Sequence, residues 1–176
     1  MLRLRLPFDA VAPEADEEPL PLETPLERAQ RLALAKAAAV SRRYPTATVI
    51  GSDQVAVCKG EVLGKPGDAA RCRQQLRLLS GSAASFHTAL AVLGANAAAS
   101  FQTVDTTTVY FRALQPAEIE RYIEAEQPFD CAGGFRAESL GISLFARIVS
   151  EDPTALVGLP LIALARGLRQ MGYELP

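Results

Sequence analysis

Residues 46–57, TATVIGSDQVAV, form a β-branched, apolar run broken by a single carboxylate, Asp53. A run of this kind fits a strand held in a sheet. The Lys59-Gly60 pair behind it marks a tight turn into a short return strand at 61–63. A plain buried strand excludes a carboxylate, because an unpaired buried charge is strongly destabilising. Asp53 follows Gly51-Ser52, so the strand is expected to emerge there at a sheet edge or cleft. Two readings stand side by side: a carboxylate that holds a divalent metal or takes a proton from water, and an aspartate that caps the turn.

The surrounding chain supplies the partners such a strand needs. Thr24 is placed as a helix N-cap, with Pro25 in the first turn and Glu27 three residues after the cap. The helix it opens runs through residue 44 and stops at Pro45. Asp68 caps a second helix through residue 79; a third covers 116–125 and a last one 159–171. Strands are expected over 2–11, where leucines and arginines alternate, and over 85–93 and 101–111, joined by a GANAAAS hairpin connection. Residues 132–145 mix glycine-rich turns with strand, and 12–25 form a proline-broken acidic loop. Helices alternating with strands, without a repeat or long linker, predict one α/β domain with a mixed β-sheet flanked by helices.

Composition narrows the function. With 176 residues, 49% hydrophobic and 22% charged, the chain has enough apolar content for a substantial core. A net charge of -2 argues against nucleic acid or an anionic membrane surface as partner, while leaving room for a small anionic substrate at a local cluster of cations. Cys58, Cys72 and Cys131 are too widely spaced for a zinc or redox motif, and one histidine, His87, rules out a histidine-built metal centre. This pattern predicts a reducing, cytoplasmic setting. MLRLRLPFDA is unlike a signal peptide.

Several further residues admit a chemical and a bland reading. Lys65, between Gly64 and Pro66, is directed enough to pair with a phosphate, or is an exposed turn lysine. Lys36, inside LALAKAAAV, either snorkels from an apolar face or points into a cleft. Glu14, Asp16 and Glu17 offer metal-binding oxygens or form a solvated loop. Glu138, beyond Arg136, accepts from a base edge or is a turn acid, whereas His87, Cys58 and Cys131 are expected to pack.

Taken in order, GSDQV, GEVLGKP, RLLSGSAASFHTALAV, FDCAGGFRAESLGISLF and LVGLPLIAL resemble the Maf family of nucleoside triphosphate pyrophosphatases, over essentially the whole chain. The S-D-Q and A-G-x-F-x-x-E patterns resemble the branch acting on 7-methyl-GTP; the dTTP/UTP branch carries A-D-T and A-G-A-Y-x-x-Q. The resemblance implies a Maf/inosine triphosphatase-like fold with a substrate cleft, and hydrolysis of a nucleotide to its monophosphate and pyrophosphate. It implies Asp53 as general base or water-positioning carboxylate, and Lys36 and Lys65 as phosphate-facing lysines. Asp16 aligns with a family glutamate near a divalent metal, Mg2+ or Mn2+, with Glu17 and Glu14 as near alternatives. Gln54 and Glu138 match positions that set base preference. A homodimer is compatible with it.

The family opens with a strand and an S-x-S-x-R-R loop that grips the triphosphate, and this sequence contains no such motif. LRLRLPFDAVAPEADE matches the family stretch just after that loop, and Arg42-Arg43 lies behind a helix and is no substitute. The expectation is therefore an N-terminally truncated Maf-like domain over residues 1–176. Two alternatives accompany it: a dTTP/UTP pyrophosphatase, and a catalytically inactive nucleotide-binding protein.

Overall fold

The structure, a computed structural model of the chain, describes residues 2–97 and 99–176. Residue 98, inside the expected GANAAAS connection, lies outside the described residues. The helices are α1 (Pro25–Arg43), α2 (Ala69–Leu79), α3 (Pro116–Glu126) and α4 (Leu161–Gln170). The strands are β1 (Val49–Cys58), β2 (Glu61–Leu63), β3 (Ala83–Leu93), β4 (Ser100–Phe111) and β5 (Phe145–Val149). Among the described residues, no helix is long and apolar enough to cross a membrane.

Local chemistry explains most boundaries. Thr24 Oγ1 accepts from Glu27 N at 3.3 Å while the Glu27 carboxylate accepts from Thr24 N at 2.9 Å, a reciprocal capping box with Pro25 at the helix start. Asp68 Oδ1 accepts from Arg71 N at 2.8 Å and starts α2. Lys59 and Gly60 both have positive φ, 51° and 83°, as a tight two-residue hairpin turn between β1 and β2 requires.

The fold is α/β, with strand order β2-β1-β3-β4-β5. The mixed sheet expected from the alternation of helices and strands is instead antiparallel. Ala56–Cys58 pair antiparallel with Leu63–Glu61, and Thr108–Phe111 with Val149–Phe145. Between β1 and β3 the partners descend: Ser52 reaches Ala89, Gln54 reaches Thr88 and Cys58 reaches Ala83. The physical reason is the hairpin. It turns the chain back before α2, so α2 links β2 and β3 in parallel, and β1 sits between them.

Two more expectations need correction. Residues 2–11 form no strand: Leu2–Leu4 is a short 3-10 turn, Arg5 has φ 54°, and the rest is irregular. The alternation there records burial alone. Leu4 and Leu6 pack on the cluster of Leu90, Val92, Leu164 and Leu168, and Arg3 and Arg5 stay exposed, without any strand partner. Within 132–145 the structure has two 3-10 turns, Ala132–Gly134 and Leu140–Leu144, and the strand begins only at Phe145. Positive φ at Gly133 and Gly134 breaks any ladder there.

The chain divides into two compact units, Met1–Gln54 with Thr88–Asp105 and Asp152–Pro176, and Val55–His87 with Thr106–Glu151. In the first, α1 brings Ala33 and Ala37 against Gly51 of β1, and Ala29, four residues earlier on the helix, is buried too. A methyl group on Gly51 would come within 2.8 Å of Ala37 N and closer still to Ala33 O, so only glycine permits this approach. α4 lacks a cap from its own N-cap residue, Pro160. Buried Asp152 supplies one, accepting from Ile162 N at 2.7 Å, and Thr154 Oγ1 accepts from Leu161 N at 2.7 Å. In the second unit Phe86, Phe111, Phe135 and Phe145 pack edge to face with centroids 5.1–5.4 Å apart.

Candidate functional site

The polar tetrapeptide Gly51–Gln54 is accommodated by the two-residue period of β1, which sends neighbours to opposite faces. Gly51 and Asp53 face α1. Ser52 and Gln54 face the turn before α4. Ser52 Oγ reaches the carbonyls of Ala89 at 2.7 Å and Gly158 at 2.8 Å. Gln54 Nε2 donates to Thr88 Oγ1 at 2.8 Å and to the carbonyls of Ala155 and Leu156 at 3.0 and 3.3 Å. Carbonyl oxygens only accept, so they fix the amide with its nitrogen inward; any further partner meets Oε1.

Asp53 meets Lys36 on α1. Lys36 Nζ lies 2.6 Å from Asp53 Oδ1 and 2.9 Å from Glu17 Oε1, so one ammonium on a helix joins two carboxylates, one from a strand and one from the acidic loop. The Asp53 side chain is only 11% exposed, whereas Glu17 is 58% exposed. Burial raises the Asp53 carboxyl above its ordinary value, and Lys36 pulls the other way without cancelling it. Burial also works against the Lys36 ammonium, but its hydrogen bonds to Asp53 and Glu17 outweigh that and raise its pKa. Among the described residues Asp53 accepts a hydrogen bond from Lys36 alone. The result is a sheltered carboxylate with spare acceptor capacity and an increased proton affinity.

Of the acids expected near a metal, the structure brings Glu17 and Asp53 onto one cation. Asp16 is exposed and turns its Oδ1 to Glu18 N at 3.0 Å. Glu14 is exposed. Among the described residues no group of three or more His, Cys, Asp or Glu side chains could hold a metal ion. Glu17 and Asp53 supply carboxylate oxygens, the donor type a hard divalent cation takes, and both are engaged by Lys36 Nζ. Mg2+ is commonly held by one or two carboxylates together with substrate phosphates.

Lys65 and Glu138 belong to the second unit, and both side chains are exposed. Their segments meet through backbone, Gly133 N donating to the Gly64 carbonyl at 3.4 Å, and the same carbonyl accepts from Gln75 Nε2 on α2 at 3.0 Å. Arg136 is committed to structure, with Nη1 on Glu126 and Nη2 on Asp130.

The sequence reading missed the arginines of α1. Arg28 Nη2 donates to the Glu17 carbonyl at 3.1 Å, and its Nε is buried without a hydrogen-bond partner among the described residues. Arg31 binds Glu23 and the Glu18 carbonyl. The signal available was spacing: Arg28 and Lys36 lie eight residues apart on one helix face, with Leu32 between them.

Residues 1–171 match the family model described as Maf-like protein. The chain is 55% identical over 174 residues to a protein of Xanthomonas axonopodis pv. citri (strain 306) named 7-methyl-GTP pyrophosphatase, covering 99% of this chain and 90% of that protein. A protein of the same name from Xanthomonas oryzae pv. oryzae (strain MAFF 311018) is 56% identical over 174 residues, with the same coverage of 99% and 90%. Another so named, from Bordetella pertussis (strain Tohama I), is 51% identical over 173 residues, covering 98% of this chain and 85% of that protein.

Proposed function

This chain belongs to the Maf family, and from that membership we propose that it hydrolyses 7-methyl-GTP to 7-methyl-GMP and pyrophosphate. The observation that carries the reading is the shared ammonium, Lys36 Nζ between Asp53 and Glu17. Asp53 takes the proton of the attacking water, or holds that water in line; its raised proton affinity brings it nearer to neutral pH, where a general base works best. Lys36 keeps the carboxylate oriented and offers its charge to a phosphate oxygen. Breaking the bond between the α- and β-phosphates builds negative charge on oxygen, and fixed cations stabilise that charge.

A divalent cation, Mg2+ or Mn2+, would be held by Glu17 and Asp53 and would neutralise phosphate charge. For Lys65 as second phosphate contact, the support is the GKP motif. For base choice, Gln54 has its amide nitrogen committed, so it offers the purine its carbonyl oxygen. Glu138 adds an exposed carboxylate. Both accept, and the guanine edge donates from N1 and N2; the N7-methylated ring is also cationic, which favours an anionic partner.

The test is direct. Purified protein with Mg2+ or Mn2+ is given 7-methyl-GTP, dTTP or UTP, and pyrophosphate and the monophosphate are measured. The reading expects stoichiometric pyrophosphate and 7-methyl-GMP, with 7-methyl-GTP preferred over both pyrimidine nucleotides. Release of inorganic phosphate instead, or no turnover of any nucleotide, would overturn it.

A further inference from the structure

The loop that carries Glu17 has no regular secondary structure between residue 6 and the turn at 21–22. Its placement therefore depends on side chains that reach it from α1. Arg31 makes a fork-to-fork pair with Glu23, Nε to Oε1 at 2.5 Å and Nη2 to Oε2 at 2.8 Å. The same Nη2 reaches the Glu18 carbonyl at 3.0 Å. Glu23 also accepts from Leu20 N at 3.3 Å, and its side chain is 8% exposed. Arg28 adds a bond to the Glu17 carbonyl at 3.1 Å. The bonds converge on 17–23, immediately behind the carboxylate that stands on Lys36.

We infer that the Arg31–Glu23 pair is a positioning clamp: by fixing the acidic loop on α1 it sets Glu17 on Lys36 beside Asp53, and so governs turnover without touching either. The inference rests on the reading that Glu17, Lys36 and Asp53 carry the hydrolysis. A bidentate guanidinium–carboxylate pair fixes two angles as well as a distance, and lysine cannot reproduce this. A half-buried pair at the end of a loop is otherwise a weak source of net stability. Its visible effect here is geometric, since residues 17 and 18 are held by arginine donors at their backbone carbonyls.

Arg31→Lys, Arg31→Met, Glu23→Gln and the charge-swapped double variant Arg31→Glu/Glu23→Arg test it, with Arg42→Met as a distant control. Three quantities are read: kcat and KM for 7-methyl-GTP, Mn2+ affinity by electron paramagnetic resonance, and the rate at which a glutamyl endopeptidase cuts the native protein in the acidic loop. Arg31→Met and Glu23→Gln should lower kcat by about 10- to 100-fold, as a misplaced group near the reacting atoms does. KM should stay within about threefold, because the substrate contacts remain. Mn2+ affinity should fall and cleavage should accelerate, each about tenfold, as the loop is released. Arg31→Lys should resemble Arg31→Met, the charge swap should recover part of kcat, and the control should match wild type.

Cleavage at the wild-type rate in Arg31→Met overturns the clamp. So does accelerated cleavage with unchanged kcat, which would make the loop irrelevant to turnover. If the wild-type protein hydrolyses nothing, the functional reading has failed on its own, and cleavage with Mn2+ affinity still decides the clamp: both altered supports it, either unchanged overturns it.

Discussion

Among the described residues two clusters place one cation between two carboxylates, and they behave oppositely. Lys36 joins Asp53 and Glu17; Arg136 joins Glu126 and Asp130. Asp53 and Glu126 have side chains of similar exposure, 11% and 10%, but burial is the leading influence on the Asp53 carboxyl and a lesser one on Glu126. Donors differ too. Glu126 accepts from Ser139 Oγ at 2.9 Å and Leu140 N at 3.1 Å besides Arg136, and these bonds, led by Ser139, hold it below the ordinary carboxylate value. Among the described residues Asp53 has only Lys36 as donor, and burial wins. A sheltered carboxylate with full hydrogen bonding is a structural tie; one left short of donors keeps capacity for a proton, a water or a metal.

The largest expected effect tests that contrast directly. Asp53→Asn should lower turnover by about 10²-fold or more while keeping the fold, and Asp130→Asn, in the saturated cluster and 74% exposed, should leave it within about twofold. Steady-state kinetics with circular dichroism on both variants decides; equal losses would erase the contrast. Next in size, Lys36→Met should cost roughly 10²-fold in kcat/KM, as removal of one donor to developing charge does. Arg136→Met should instead lower the melting temperature with little kinetic effect, because it strips Glu126 and Asp130 of their cation. Lys65→Ala should fall nearer to Lys36→Met than to Arg42→Ala.

Glu138 sharpens the comparison, because it stands two residues past Arg136 and takes no part in that cluster's hydrogen bonds. Glu138→Gln with Gln54→Thr should shift discrimination between 7-methyl-GTP and UTP by roughly 1.5–3 kcal/mol, about ten- to a hundredfold in the ratio of kcat/KM. An unchanged ratio would remove both residues from base selection.

The smallest effect is on stability, and its sign differs between the clusters. Glu126 and Asp130 have folded values below their ordinary 4.5 and 3.8, so they stabilise above those values, and the contribution is lost as pH falls through the folded ones. Asp53 lies above its ordinary 3.8; its contribution is present below 3.8 and lost as pH rises through the folded value. Asp53→Asn, which also takes a partner from Lys36, should therefore compare better with wild type at pH 7 than at pH 4, and Arg136→Met should lose stability at pH 7 yet match wild type more closely in acid. Thermal melts at pH 4 and 7 check both signs.

How much was legible in the sequence depended on how local the chemistry was. Helix α1 could be read because Thr24, Pro25 and Glu27 form its cap within four residues, and the β1–β2 turn because Lys59-Gly60 can adopt positive φ. Residues 2–11 were misread because alternation reports which side is buried and not whether a strand lies alongside. The antiparallel sheet was hidden because insertion of β1 between β2 and β3 is a long-range event. At the site, Asp53 was conspicuous as a charge in an apolar run. The Arg31–Glu23 pair was not, since either residue reads as an ordinary surface charge until the loop folds back.

Gly51 sets a tolerance for the whole arrangement. With a hydrogen where every other residue carries carbon, β1 and the alanine face of α1 meet backbone to backbone, leaving no side chain to absorb an error by changing rotamer. Alanines and a glycine contribute little apolar area each, so closeness of approach matters more here than the area buried. They act instead as gauge blocks, fixing the reach from Lys36 to Asp53 by the thickness of the parts. Added bulk at Gly51, Ala33 or Ala37 would wedge the helix away and open the gap between carboxylate and ammonium while leaving both residues in place. At Ala33 and Ala37, where the strand's glycine comes closest, the room for sequence drift is thus small, although the segment around them looks monotonous.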